Sequence, residues 1–271
     1  MNLKSFIAYG LRKAGAAKMA DHVRYLWFKF KGRKKNLQFS ILNPDVKLPP
    51  DYLMYESFRL DYEKYYFGGR EVAEWLVSIF SQHSVASDAR LLDWGCGPGR
   101  IVRHLPEVMG QGCEIFGTDY NGESIRWCKE NLGNIRFNCN GLEAVLPYQD
   151  NYFDIIYGIS VLTHLSEERH FEWKNELYRI LKPGGIMILT SHGIHFRQKL
   201  TPYEQKLFDG GKLVVRKSSS EGHRTYAAFH PPDFMKKLFS AFKIEDHITP
   251  APEKGKWLPQ DIWVLRKQSK V

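Results

Sequence analysis

The residues best suited to chemistry sit in one run, Leu91-Leu92-Asp93-Trp94-Gly95-Cys96-Gly97-Pro98-Gly99-Arg100. An apolar stretch ends at an acid, and glycines follow at alternate positions. Glycines let a backbone turn tightly and pass close to a bound molecule, and the helix start expected behind them offers free N–H groups. A dinucleotide-binding turn reads GxGxxG. Here the pattern is GxGxG, and Arg100 stands where the last glycine of the dinucleotide motif would fall. An acid two residues before the first glycine repels a pyrophosphate but suits a ligand with an ammonium group and no phosphate. A second acid, Asp119, ends the next apolar run, Phe116-Gly117-Thr118-Asp119-Tyr120. From the end of a second strand, an acid can accept hydrogen bonds from both hydroxyls of a ribose. A third segment, Asn140-Gly141-Leu142, can turn backbone N–H groups toward the edge of an adenine.

Such residues converge only if strands and helices alternate, and the pattern from Arg90 onward does so. Strands are expected at 90–94, 114–118, 134–137, 153–159 and 186–191, with helices around 101–105 and at 123–131 and 167–181. The helix at 167–181 has Ser166 as its N-cap, acids in its first turn, and Lys182-Pro183-Gly184-Gly185 as its stop. Near-continuous apolar strands between helices predict a parallel sheet covered on both faces. In the tail, 212–216 and 224–228 read as a hairpin, 231–242 as a helix, and 241–248 and 261–266 as closing strands. Upstream, 2–31 reads as one or two helices weakened at Gly10 and Gly15. The proline-rich 43–50 interrupts, and a further helix follows Gly69.

Taken together these motifs resemble the class I S-adenosylmethionine-dependent methyltransferases. The resemblance covers roughly residues 90–191. It includes the acid-glycine turn, Asp119, Phe153-Asp154-Ile155-Ile156 and Leu181-Lys182-Pro183-Gly184-Gly185. It implies an α/β, Rossmann-like fold with a seven-stranded, mostly parallel sheet and helices on both faces. The last strand, at 261–266, would be antiparallel, and the N-terminal helical extension lies outside this core. The implied cofactor is S-adenosyl-L-methionine, with Asp93, Gly95, Cys96, Gly97, Gly99, Asp119, Tyr120, Gly141, Leu142 and Ser160 as binding residues. Many relatives carry an acid after the third strand. Gly141 and Leu142 occupy that place here, which implies a backbone or apolar contact to adenine.

The loop after the fourth strand, Gly158-Ile159-Ser160-Val161-Leu162-Thr163-His164-Leu165, is where the methyl acceptor is expected. It lacks the Pro-Pro-aromatic sequence of enzymes that methylate planar nitrogens, and the Pro-Cys pair of cytosine-carbon methylases. The expected acceptor is therefore an oxygen or nitrogen of a small molecule or glycan. His164 is the first candidate base and His192, after the fifth strand, the second. Each competes with a purely structural role in orienting its loop. Tyr226 and His230 can cap the pocket from the tail. Upstream, Tyr62, Tyr65, Tyr66 and Phe67 offer aromatic faces to a sulfonium, and Arg70 can clamp a cofactor carboxylate. A helix packed over the sheet explains the same residues equally well. The overall layout also looks like bacterial methyltransferases of glycan biosynthesis.

The 271 residues read as a basic amphipathic extension over 1–42, a helical lead-in over 43–89 and a methyltransferase domain over 90–271. Within it, 195–230 is the expected substrate-side insertion. The net charge of +9 is unevenly placed: residues 1–36 hold ten Lys/Arg against Asp21 alone, and the remainder is balanced. A nucleic-acid enzyme of uniformly basic character does not look like this, so nucleic acid is not the expected partner. Tyr25, Trp27, Phe28 and Phe30 interleave with Lys29 and Lys31 ahead of Arg33-Lys34-Lys35. That makes 1–36 a candidate contact for an anionic membrane, against the alternative that its apolar residues pack on the catalytic domain. No apolar run approaches the roughly 18 residues that span a bilayer, and no secretory h-region is visible. The chain reads as cytoplasmic, with the inner membrane face as a candidate peripheral site. The four cysteines show no metal or redox spacing, and no metal site is expected. Two other functions stay open: a non-catalytic nucleoside-binding scaffold, and an RNA methyltransferase using the basic arm.

Overall fold

A computed structural model describes residues 17–83, 88–110, 112–217 and 219–269. Among the described residues three helices come first: α1 (Ala17–Leu42), α2 (Asp51–Ser57) and α3 (Tyr62–Gln82). The helix expected to fade by residue 31 continues through Gly32 to Leu42. The expectations for residues 1–16, including the breaks at Gly10 and Gly15, lie outside the described residues. The α3 helix begins at Tyr62 rather than after Gly69, capped by Asp61, whose side chain accepts from the Lys64 amide.

Strands β1 (Arg90–Trp94), β2 (Glu114–Asp119), β3 (Arg136–Cys139), β4 (Phe153–Gly158) and β5 (Leu181–Ser191) run parallel. Between them lie α4 (Leu105–Met109), α5 (Gly122–Asn131) and α6 (Glu167–Ile180). After β5 come α7 (Pro202–Asp209), the short antiparallel pair β6 (Val214–Arg216) and β7 (Ala227–Phe229), and α8 (Pro232–Leu238). Last are β8 (Phe242–Ile248) and β9 (Asp261–Lys267). The sheet order is β3-β2-β1-β4-β5-β9-β8, and β9 is antiparallel to both neighbours. This is the seven-stranded Rossmann-like sheet expected from the sequence. The tail helix is shorter than expected, ending at Leu238 instead of near residue 242.

Alternation along the strands divides the core into two layers. Leu92, Trp94, Ile156, Met187, Leu189, Trp263 and Leu265 face α6 and α8. Leu91, Ile155, Tyr157, Ile186, Ile188, Ile262 and Val264 face α3, α4 and α5. A strand buried on both faces must be apolar at every position, hence the unbroken runs. Chain connections leave β1 toward β2 and β3 on one side, and β4 and β5 lie on the other. That reversal opens a crevice at the carboxyl ends of β1 and β4, where α/β sheets bind ligands. The Lys182-Pro183-Gly184-Gly185 junction serves this register: Lys182 Nζ lies 2.7 and 2.8 Å from the Asp154 oxygens, and Asp154 Oδ2 also accepts from the Arg90 amide.

Candidate active site

The crevice holds a cavity walled by four strand ends. Trp94, Gly95 and Gly97 come from the glycine turn after β1, Asp119, Tyr120, Asn121 and Ser124 from β2 and α5, and Asn140, Gly141 and Leu142 from the segment after β3. Ile159, Ser160, Val161, His164 and Leu165 follow β4, and Trp173 reaches in from α6. Leu53, Glu56 and Ser57 of α2 and Gly222, His223 and Arg224 of the β6–β7 loop close the remaining sides.

The glycine turn is held by Gly95 and Cys96 amides donating to Thr118 O at 2.8 and 3.0 Å. Gly95 has φ +79°, and a Cβ there would lie 2.4 Å from Val161 Cγ2; Gly97 has φ +51° at the cavity wall. Only glycine takes these positions without strain. Gly99 instead packs beneath the turn, where a Cβ would meet Leu132 at 2.7 Å. Asp119 binds the turn to the second strand: its carboxylate accepts from the Gly97 amide and from the Asn121 amide, each at 2.8 Å. Burial raises its carboxyl pKa, and those amides oppose the rise. The cap of α5 is Asn121, whose side chain accepts from the Glu123 and Ser124 amides.

Asp93 is buried but not on the cavity wall. It accepts a hydrogen bond of 2.5 Å from the Tyr157 hydroxyl. Burial pushes its carboxyl up to about 7, the Tyr157 bond pulls it down, and Asp119 adds to the rise. Cys96 is likewise buried off the wall, and burial drives its thiol well above the ordinary range.

At the β3 end, Thr118 Oγ1 donates to Asn140 Oδ1 at 2.6 Å, and Trp173 Nε1 donates to Leu142 O at 3.2 Å. At the β4 end Ser160 adopts φ +66°, a backbone conformation costing roughly 1–3 kcal/mol in a non-glycine residue. A closed set of bonds holds it there. Its amide donates to Thr190 Oγ1 (2.8 Å), Thr190 Oγ1 donates to Gln260 Oε1 (2.6 Å), and Gln260 Nε2 donates to Ser160 Oγ (2.8 Å).

His164 lines the cavity, with Nδ1 2.9 Å from the Tyr226 carbonyl oxygen. A carbonyl only accepts, so Nδ1 carries the proton and Nε2 keeps a lone pair. Burial lowers the pKa of this ring, which keeps it neutral.

Several expected site residues lie elsewhere. Arg70 is on the outside of α3, with its guanidinium on Glu74 (3.0 Å) and Glu107 (2.8 Å); the helix turns it away from the cavity. His192 is not on the wall because the β6–β7 ribbon covers the end of β5. Its Nδ1 lies 3.1 Å from Ala228 O, its ring stacks on Phe196 at 4.1 Å, and burial pushes its pKa down to about 3. His230 is buried against His170, Nε2 to Nε2 at 2.9 Å. The tyrosine cluster buttresses the site from behind: Tyr65 donates to Pro98 O at 2.9 Å and Tyr62 to Asp51 at 2.7 Å.

Apart from Tyr120, the residues that close the cavity had no local signature. Tyr120 donates to Gly222 O at 3.0 Å, and the Gly222 amide donates to His164 O at 2.9 Å. Arg224 stacks over Tyr55 at 4.3 Å and pairs with Asp21 of α1, to which Tyr55 also donates. Gln260 could not be read as a partner of Ser160, because the two lie 100 positions apart.

Residues 92–189 match the family model for a methyltransferase domain. Over 158 residues the chain is 28% identical to a sterol 24-C-methyltransferase of Schizosaccharomyces pombe, covering 54% of this chain and 40% of that protein. It is 31% identical over 127 residues to a tRNA (carboxymethyluridine(34)-5-O)-methyltransferase of Arabidopsis thaliana, covering 46% and 29%. The chain thus spans less than half the length of either relative. In fold it is similar to a 1,6-didemethyltoxoflavin-N1-methyltransferase from Burkholderia thailandensis, whose structure holds S-adenosylhomocysteine. That likeness has a TM-score of 0.52 and 18% identity over 83% of this chain and 93% of the other. Residues 92–189 thus carry a methyltransferase domain, built on the seven-stranded sheet described above.

Proposed function

We propose that this chain transfers a methyl group from S-adenosylmethionine to an oxygen or nitrogen of a small-molecule or glycan acceptor. The observation that carries the cofactor half is Asp119. Its carboxylate is fixed by the Gly97 and Asn121 amides on the cavity wall, between the glycine turn and Asn140-Gly141-Leu142. In this reading Asp119 accepts the two ribose hydroxyls, and the backbone at Gly141 and Leu142 meets the adenine edge. Tyr120 and Ser160 line the same cavity, and the nearby Asp93 carboxylate balances a ligand ammonium. The fit is physical: glycines at positive φ leave room for close approach, and a buried carboxyl raised to about 7 gains from a cation brought near it.

When bound, S-adenosylmethionine supplies an electrophilic methyl group on a sulfonium, so alignment is the main task left to the protein. For a hydroxyl acceptor, His164 would take the hydroxyl proton at Nε2. Its proton on Nδ1, held by Tyr226 O, keeps the ring in the tautomer that can do so. An amine acceptor that is already neutral needs no base. Residues 90–271 form the catalytic domain in this proposal, with 195–230 as the acceptor-side insertion that contributes Gly222, His223 and Arg224. Residues 1–42 are the extension and 43–89 the lead-in. The relatives with sterol and tRNA acceptors leave other acceptor classes open to the same fold. The balanced charge outside residues 1–36 favours the smaller ones.

Calorimetry with S-adenosylmethionine tests the cofactor site. Asp119→Ala should weaken binding by about 1.5–3 kcal/mol, the scale of lost charge-assisted hydrogen bonds; an unchanged affinity removes its ribose role. Mass spectrometry of glycans and small metabolites, with and without the protein, identifies the acceptor. If that acceptor is a hydroxyl, His164→Ala should slow turnover roughly 100-fold or more with cofactor affinity intact. Near-normal turnover means that His164 only orients its loop.

A further inference from the structure

The α1 helix presents two opposite faces. Tyr25, Asn36 and Phe39 are buried against the rest of the protein, and Asp21 faces the cavity loop. At about 100° per residue, Val23, Leu26, Trp27, Phe30, Leu37 and Ile41 fall within an arc of about 100° on the far side. Each of them is between 51% and 68% exposed. An apolar stripe of this length is not an ordinary surface helix, which turns such a face inward.

Arg24 and Lys31 flank the stripe on one side and Arg33 on the other, and Lys34 falls within the arc itself. Lys29 and Lys35 are tied back to Asp51 and to Asp61 and Glu63. Arg24, Lys31, Arg33 and Lys34 make no ion pair among the described residues. Lys31 and Arg33 instead lie over the exposed rings of Trp27 (4.8 Å) and Phe30 (4.9 Å). The one acid on the helix, Asp21, is engaged by Arg224.

We propose that this face of α1 is a docking surface for an anionic lipid bilayer, on which the helix lies in the plane of the headgroups. The charge pattern selects that occupant. Two copies of α1 packed stripe to stripe would set basic flanks against basic flanks with no free acid to pair them, which is repulsive. An anionic bilayer satisfies both features at once. Trp27 and Phe30 enter the interface, and the four unpaired cations meet phosphate headgroups. Docking there sets the cavity close to the membrane, because Asp21 on the inner face of the same helix pairs with Arg224 on the cavity wall. Interfacial binding does not depend on the methyltransferase reading.

The test is co-sedimentation of the full chain with vesicles of phosphatidylcholine alone and of phosphatidylcholine with phosphatidylglycerol. Two variants accompany it, Trp27→Ser/Phe30→Ser and Lys31→Gln/Arg33→Gln/Lys34→Gln. Circular dichroism and S-adenosylmethionine calorimetry on all three proteins report folding and the cofactor site separately. Wild type should bind the anionic vesicles at low salt, bind the neutral ones far less and come off as salt rises. Each variant should bind the anionic vesicles roughly tenfold or more weakly while keeping the wild-type spectrum. The proposal is overturned if wild type ignores the anionic vesicles or if both variants bind as wild type does. It is also overturned if ultracentrifugation shows a dimer that the Trp27→Ser/Phe30→Ser variant dissolves, since the stripe would then join two copies of the chain.

Discussion

Asp93 and Asp119 are both buried carboxyls, Asp119 on the cavity wall and Asp93 off it, and their surroundings treat them differently. Two backbone amides hold Asp119 and oppose the rise that burial imposes. Asp93 has one hydroxyl donor, and burial raises it to about 7. A raised carboxyl means that the folded state holds its proton more tightly than the unfolded chain, where the pKa is about 3.9. Its stabilising contribution is therefore complete at low pH and fades as pH rises toward about 7. Cofactor binding has the opposite sign. If the cofactor binds as proposed, with its ammonium near Asp93, it should lower the Asp93 pKa, so that binding releases a proton below about pH 7 and affinity falls there by up to roughly tenfold per pH unit. Calorimetry in two buffers of different ionisation enthalpy reads the released proton directly. Asp93→Asn should show a lower affinity that is flat with pH; a wild-type profile already flat across pH 7 refutes the coupling.

Helix α3 shows how an element, rather than a site residue, sets the glycine turn. The sequence reading starts this helix only after Gly69, and glycine costs a helix interior about 1 kcal/mol relative to alanine. Tertiary packing overrides that cost. Gly69 lies directly on the turn, where a Cβ would stand 2.1 Å from Arg100 O, and Tyr65 one helical turn earlier donates to Pro98 O. Gly68 has nothing within 4 Å of a Cβ position. The two neighbours should therefore behave oppositely. Gly69→Ala should cost about 1–3 kcal/mol in stability through overpacking and weaken S-adenosylmethionine binding, because the turn must shift. Gly68→Ala should be neutral or stabilising by up to about 1 kcal/mol. Thermal unfolding and calorimetry on the pair check both statements; equal effects would show that α3 does not support the turn.

At the scale of the whole molecule, segments distant in sequence meet over one crevice. Asp21 and Arg224 are 203 positions apart, Tyr120 and Gly222 are 102 apart, and Ser160 and Gln260 are 100 apart. The charge is arranged on the same scale: the basic excess belongs to the N-terminal segment, and the remainder is balanced. The alternative considered for α1, that Val23, Leu26, Trp27 and Phe30 pack on the catalytic domain, does not occur, since all four are exposed. Their helical spacing marks a face without saying which way it points.

The sequence by itself determined the sheet, the glycine turn and the candidate cofactor wall. Each rests on constraints local to the chain: apolar runs buried on both faces, glycines needed at positive φ, and acids at the ends of strands. These are legible within a few residues, so Asp119, Gly95, Gly97, Gly141 and Leu142 could be singled out before any geometry. Only the tertiary structure decided what closes the cavity and which histidine reaches it. His164 and His192 both follow apolar strands and look equivalent in one dimension. The ribbon of β6 and β7 covers His192, whereas the Tyr226 carbonyl orients His164 at the cavity wall. Arg70 looked like a carboxylate clamp until the turn of α3 directed it to Glu74 and Glu107. Burial and orientation arise from packing between distant segments, and the sequence carries no local mark of which segment will cover another.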